Sequence, residues 1–294
     1  MSSAVAVPET ELVEGTSLWR DAWRRLKKNR MAVGGGVFIT VLALACVLGP
    51  FVSPYGFETQ DLVYGARGPS LAHWMGTDYL GRDMLTRILY GGQISLLVGL
   101  IAGVVSLVIG TLYGAISGYA GGRVDDVMMR IVDILYSLPY IFLVILLVTL
   151  FGQSLILLFL ALGLVEWLAT ARIVRGQVLS LKEKEFILAA RSVGTRAPAI
   201  LMRHLIPNTL GPIIVYFTLT VPEVILQEAF LSYLGLGVQA PRPSLGALIN
   251  QGALHLDLYP WEIIFPGVVL AATLFSLNFL GDGLRDALDP QMKR

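Results

Sequence analysis

Apolar residues fall into six long runs, near 31–52, 93–118, 128–150, 154–173, 209–231 and 262–281, with more polar intervals of uneven length between them. About 20 helical residues cross the hydrocarbon core of a bilayer, so each run predicts one spanning helix. The second run carries Gly99, Gly103, Gly110, Gly114 and Gly118, spaced to let another helix approach closely. Before the first run, Trp19, Trp23 and Leu26 recur at i, i+4, i+7 among six Lys/Arg. That pattern predicts an amphipathic helix over Ser17–Arg30, lying in the headgroup layer. Residues 1–16 are small and polar, and are expected to be disordered.

A polar-rich interval, Lys184–Asn208, lies between the fourth and fifth runs. Phe186, Ile187, Ala189, Ala190 and Val193 have roughly helical spacing, and Gly194 is a natural stop because glycine takes a left-handed turn without steric cost. Thr195 is placed to cap a second short helix, with Pro198 in its first turn and Pro207 at its end. The interval therefore predicts a helix–Gly–helix hairpin, either a plain connection or a docking surface. Ala189 and Ala190 would share a face with Phe186 and Val193 and let a partner come close.

Composition agrees with a membrane solvent. The chain is 55% hydrophobic and 15% charged, with mean hydropathy +0.70, too apolar for a soluble globular domain. Charge asymmetry sets orientation. Eighteen Lys/Arg fall on the side of the termini and the hairpin, and four on the other. Positive residues favour the cytoplasm, so both termini and the hairpin are expected there. Three regions follow: 1–30, a cytoplasmic tail with the interfacial helix; 31–92, the first span and an extracytoplasmic loop; and 93–294, a core containing the cytoplasmic loop 174–208.

Several chemistries are unsupported. Net charge is +1, so no overall field suggests nucleic acid. Cys46 has no cysteine partner, and His73, His204 and His255 lack metal-ligand spacing. No lysine follows a glycine, so there is no P-loop, and H-E-x-x-H is absent. Asp133 and Asp282 are poorly placed for an intramembrane protease. Glu166 and Glu223 are the ionisable groups that an ion-coupled secondary transporter would need at midplane, and that class is the alternative function.

Three polar features remain. In the first loop, His73-Trp74-Met75-Gly76-Thr77-Asp78-Tyr79-Leu80-Gly81-Arg82-Asp83 precedes a helix that Thr77 or Asp78 could cap, and Asp83 and Arg87 are spaced for an i,i+4 pair. Glu228 falls about 30 Å beyond Asn208 at 1.5 Å per residue, near the outer end of its helix. It is either a solvated end group or an anchor for the 232–246 loop. At the C-terminus, Arg285 and Asp289 are a second i,i+4 pair and Pro290 a helix stop.

These segments carry a family resemblance. Ala189, Ala190, Gly194 and Pro207 stand where the EAA loop of bacterial ABC importer permeases has Ala, Ala, Gly and Pro; Leu188 replaces the Glu. The His-x-x-Gly-Thr-Asp-x-x-Gly-Arg-Asp stretch resembles a signature of the second, C-type permease subunit of the dipeptide/oligopeptide/nickel family. Glu228 to Pro241 and Asn278 to Pro290 resemble two further segments, with Leu245 where the family usually has Trp. The matches run from about Met31 to Pro290.

The resemblance implies an all-α polytopic membrane protein with six transmembrane helices, of the type I ABC importer permease (MetI-like) fold, in the bacterial cytoplasmic (inner) membrane. It implies one non-catalytic subunit of a peptide importer, or of a nickel-chelate or glutathione importer of the same family. Its partners would be a homologous second permease, two cytoplasmic ABC ATPases and an extracytoplasmic substrate-binding protein. This chain would need no cofactor, because ATP and Mg would be bound by the ATPases. Coupling would fall to Glu185, Ala189, Ala190, Gly194, Arg203, His204 and Pro207. The extracytoplasmic signature would comprise Gly76, Thr77, Asp78, Gly81, Arg82 and Asp83. Glu228, Ser232, Asn278 and Asp282 would be gate or pathway candidates.

Overall fold

Pro139 forces the residue before it out of the α region, and that decides the shape of the third apolar run. In the computed structural model, which describes residues 18–152 and 154–288, Leu138 is extended (φ −76°, ψ 133°). The run expected as one span over 128–150 is instead two helices, α4 (Gly122–Ser137) and α5 (Tyr140–Phe151), bent by 86°. Five other segments are long and apolar enough to cross a membrane, and the bent pair would make six. The expected 1–16 tail, Asp289 and Pro290 lie outside the described residues.

The chain begins with α1 (Leu18–Leu26), which packs on the last helix through Ala22. Trp23 faces outward with Lys27 over its ring at 5.1 Å. Asn29 separates α1 from α2 (Arg30–Val52) and caps it, accepting from the Met31 and Ala32 amides. α3 (Met84–Ala120) is longer than the expected 93–118, because Asp83 caps it immediately after the loop. Its glycines separate into two contacts. Gly99 and Gly103 meet Ile225 and Phe217 of α9 (Ile206–Tyr233), while Gly110, Gly114 and Gly118 lie against α6 (Leu155–Leu181). Close packing of small residues is what joins helices in a solvent as apolar as they are.

After α6 come α7 (Glu185–Ser192) and α8 (Ala197–Ile200), then one π turn (Leu201–Leu205) leading directly into α9. The interval between the fifth and sixth apolar runs contains α10 (Leu245–Leu254), and α11 (Trp261–Leu288) closes the described chain. Asp125 at the start of α4 receives both Nε and Nη2 of Arg175 at 2.6 Å, a bidentate clip between α4 and α6.

Candidate functional site

The 53–83 loop is tied down by its own signature residues. Gly76 and Gly81 have φ +75° and +71°, a region that glycine enters freely. A Cβ on Gly81 would also stand 2.0 Å from the Asp61 carbonyl oxygen. Between these turns Thr77 is fully buried; it donates through its hydroxyl to the Gly65 carbonyl and accepts from the Arg67 amide. The Trp261 indole donates to the Thr77 carbonyl at 3.0 Å, pinning the loop to α11.

Neither Thr77 nor Asp78 caps α3, because Asp78 is fully engaged elsewhere. It accepts from the Leu80 and Arg82 amides, from Arg82 Nε at 2.7 Å and from Arg87 Nη1. Arg87 therefore pairs with Asp78 and not, as the spacing suggested, with Asp83; its other nitrogen donates to Gln251 of α10. Asp83 is the cap, accepting from the Thr86 amide and hydroxyl, and its second oxygen meets His73 Nδ1 at 2.8 Å. Asp78 and Arg82 are an i,i+4 pair, but Arg87 and His73 lie nine and ten residues from their carboxylates, beyond the reach of that spacing rule.

Glu228 is fully buried in α9. Ser95 of α3 donates to one carboxylate oxygen at 2.9 Å, and Ser232, one turn on, donates to the other at 2.6 Å. Ser232 in turn accepts from the Val238 amide and the Ser244 hydroxyl, while Ser95 accepts from the Leu245 amide. One carboxylate thus holds α3, the 234–244 loop and the start of α10 together, which is the anchor geometry and not a solvated end group. Gly246 completes the joint, since a Cβ there would lie 2.4 Å from Ala229 Cα. Asn278 and Asp282 do not join this node. Both are exposed on α11, and Asn278 donates to the Leu274 carbonyl of its own helix.

At the hairpin, Gly194 has φ +82°. The Thr195 amide donates to the Ala190 carbonyl and the Gly194 amide to Arg191, the paired bonds of a Schellman turn. Thr195 is not the cap of α8; Arg196 holds that position and its side chain makes no cap bond. Pro207 does not end a helix either. It lies just past the π turn in a helix that runs unbroken over Ala197–Tyr233, and the Ile206 amide beside it reaches back five residues to Leu201.

The expected apolar face of α7 divides in two. Ile187 is fully buried with Ile200, Leu205, Val174 and Val178, and Ala190 packs against them. Phe186, Ala189 and Val193, at i, i+3, i+7, point outward, and Val193 is 86% exposed. Glu185 and Arg203 are exposed, and His204 is half-buried.

Comparison with known proteins adds the following. Residues 110–294 match the family described as binding-protein-dependent transport system inner membrane component. Residues 17–69 match the N-terminal TM domain of oligopeptide transport permease C. The oligopeptide transport system permease protein OppC of Escherichia coli K12 is 52% identical over 281 residues, covering 95% of this chain and 93% of that protein. The dipeptide transport system permease protein DppC of Bacillus subtilis 168 is 47% identical over 279 residues, covering 95% and 87%. The glutathione transport system permease protein GsiD of Escherichia coli O6:K15:H31 is 40% identical over 276 residues, covering 94% and 91%. A chain of the inward-facing MetNI methionine ABC transporter superposes with TM-score 0.55 at 20% identity, over 70% of this chain and 98% of that one.

Proposed function

Since the chain belongs to the family of binding-protein-dependent transport system inner membrane components, we propose that it is the transmembrane permease subunit of an ATP-driven peptide importer. The similarity to OppC and DppC proteins over nearly the whole chain supports a peptide-class substrate. Family membership favours ATP-driven import over the ion-coupled alternative. The subunit carries out no covalent chemistry. It works beside a second permease in the bacterial inner membrane, and substrate crosses at their interface by alternating access. Two ATPases on the cytoplasmic side drive the change, and a binding protein on the other side delivers substrate.

The observation that carries the coupling role is the two-sided hairpin. Ile187, Ile200 and Leu205 fix it rigidly to α6 and α9, while Phe186, Ala189 and Val193 present an uncovered apolar face. A rigid element with one face free can pass a partner's movement to the spans. Ala189→Asp would place an unpaired charge in that contact, at a cost of several kcal/mol. Gly194→Val meets no neighbour within 4 Å, so its harm comes from the left-handed backbone alone. Both variants should insert normally yet lose co-purifying ATPase and binding-protein-stimulated hydrolysis. Parental ATPase retention and transport in both would refute the coupling role.

A further inference from the structure

The bend between α4 and α5 opens a cavity of about 260 Å³ against α6 and α9. Glu166, Glu223 and Gln227 line it together with Tyr136, Tyr140 and Tyr216. Glu166 is buried near the middle of α6, and one of its oxygens accepts from Gln227 Nε2 at 2.8 Å. That bond turns the Gln227 carbonyl oxygen away with no partner of its own, although the residue is only 7% exposed. Glu223 stands one turn before Gln227 on α9 and is exposed, as are Tyr136 and Tyr140. No Lys, Arg or His is among the residues lining the cavity. Arg172 lies over the Tyr136 ring at 4.3 Å, but its guanidinium is committed to Asp133 at 2.8 Å.

Carboxylates at membrane depth are costly and normally have a partner. Here two of them converge with an orphaned amide oxygen, and three phenol rings stand among otherwise aliphatic walls. Oxygen acceptors supply hydrogen bonds to a three-donor cation, and aromatic faces attract it further. The volume exceeds that of a bare metal ion and suits a charged group borne on an organic body. Non-helical backbone at this depth is tolerated where it lines a cavity, as it does at Leu138–Pro139.

We propose that this cavity is an ammonium-recognition subsite on the translocation route, taking the α-amino group or a lysyl side chain of a passing peptide. The proposal rests on the reading of the chain as a peptide permease. Glu166 and Gln227 form its floor, and Glu223 meets the cation at its mouth.

The test uses the complete transporter in proteoliposomes, with uptake normalised to peptide occupancy of the binding protein. The probes are Ala-Ala-Ala, N-acetyl-Ala-Ala-Ala and N-acetyl-Ala-Lys-Ala. Glu223→Gln and Glu166→Gln should each lower uptake of Ala-Ala-Ala at least tenfold and leave N-acetyl-Ala-Ala-Ala at the parental level. A matching fall for N-acetyl-Ala-Lys-Ala would assign the site to lysyl ammonium as well, and no fall would restrict it to the α-amino group. Glu223 is exposed, so its variant carries the test even if Glu166→Gln does not assemble. Unchanged uptake, an equal loss for all three peptides, or a loss that follows Na⁺ concentration overturns the proposal. Failure of the permease reading itself would look different: the parent protein would show no ATP-dependent uptake.

Discussion

Asp78 and Arg87, nine residues apart and each with a side chain 2% exposed, form an ion pair that also includes Arg82 and, through Arg87, reaches Gln251. One carboxylate thus balances two guanidinium groups at the base of the 53–83 loop. Removing one member of a buried pair costs roughly 3–5 kcal/mol because the other charge is left uncompensated. Asp78→Asn strands two cations, whereas Arg87→Met leaves Asp78 still paired with Arg82. The first variant should therefore be the less stable, which thermal aggregation of the detergent-solubilised complex would show. The reverse order would mean that the loop is held mainly by its backbone bonds around Thr77.

Glu228→Gln tests the node that joins α3, α9 and α10. Gln keeps one acceptor oxygen but brings an NH2 group to the other serine hydroxyl. Hydrogen bonds to a charged group contribute about 1.5–3 kcal/mol each, more than neutral ones. The variant should assemble, transport several-fold more slowly, and show faster hydrogen exchange in the 234–244 loop. Full transport with parental exchange would remove Glu228 from any working role.

Gly114 lies so close to α6 that a Cβ on it would stand 2.2 Å from the Ala171 carbonyl oxygen. Gly114→Val should separate α3 from α6 and sharply reduce the amount of folded protein. Gly176, also helical, has nothing within 4 Å of its would-be Cβ, and Gly176→Ala should be neutral or slightly stabilising. Measured yields after detergent extraction, and their melting temperatures, separate the two cases.

Orientation is checked with cysteines. Thr59 and Arg196 are both exposed and lie on opposite sides in the charge-based reading. Thr59→Cys should react with an impermeant maleimide in intact cells, and Arg196→Cys only after permeabilisation. Labelling of Arg196→Cys in intact cells would reverse the orientation and separate the hairpin from the ATPases.

Long apolar runs made α2, α6, α9 and α11 legible, because hydropathy averaged over a span is a strong signal. The same averaging concealed the bend at Leu138–Pro139, where the apolar run continues but the backbone does not. It also concealed α10, whose ten residues are too few to register. Gly194 was readable because a left-handed turn has a residue-specific cost. The division of α7 into an Ile187 side and a Val193 side was not, since both sides are apolar and burial alone distinguishes them. Ser95, the far partner of Glu228, lies 133 residues away, and Arg87 and His73 reach Asp78 and Asp83 through the folding of the loop, so local spacing holds no trace of these contacts. Gln227 escaped notice for the same reason, as its bond to Glu166 spans 61 residues.

The π turn at Leu201–Leu205 has a consequence for how the hairpin is aimed. Ile200 and Leu205, five residues apart, both enter one core. On an α-helix, at about 100° per residue, they would stand about 140° apart. The wider turn absorbs that offset, so α8 and α9 each keep their own periodicity while their relative phase is set between them. Such a joint acts as a vernier. Inserting or deleting a single residue there would re-aim the outward face of the hairpin relative to α9 without altering the pattern of either helix.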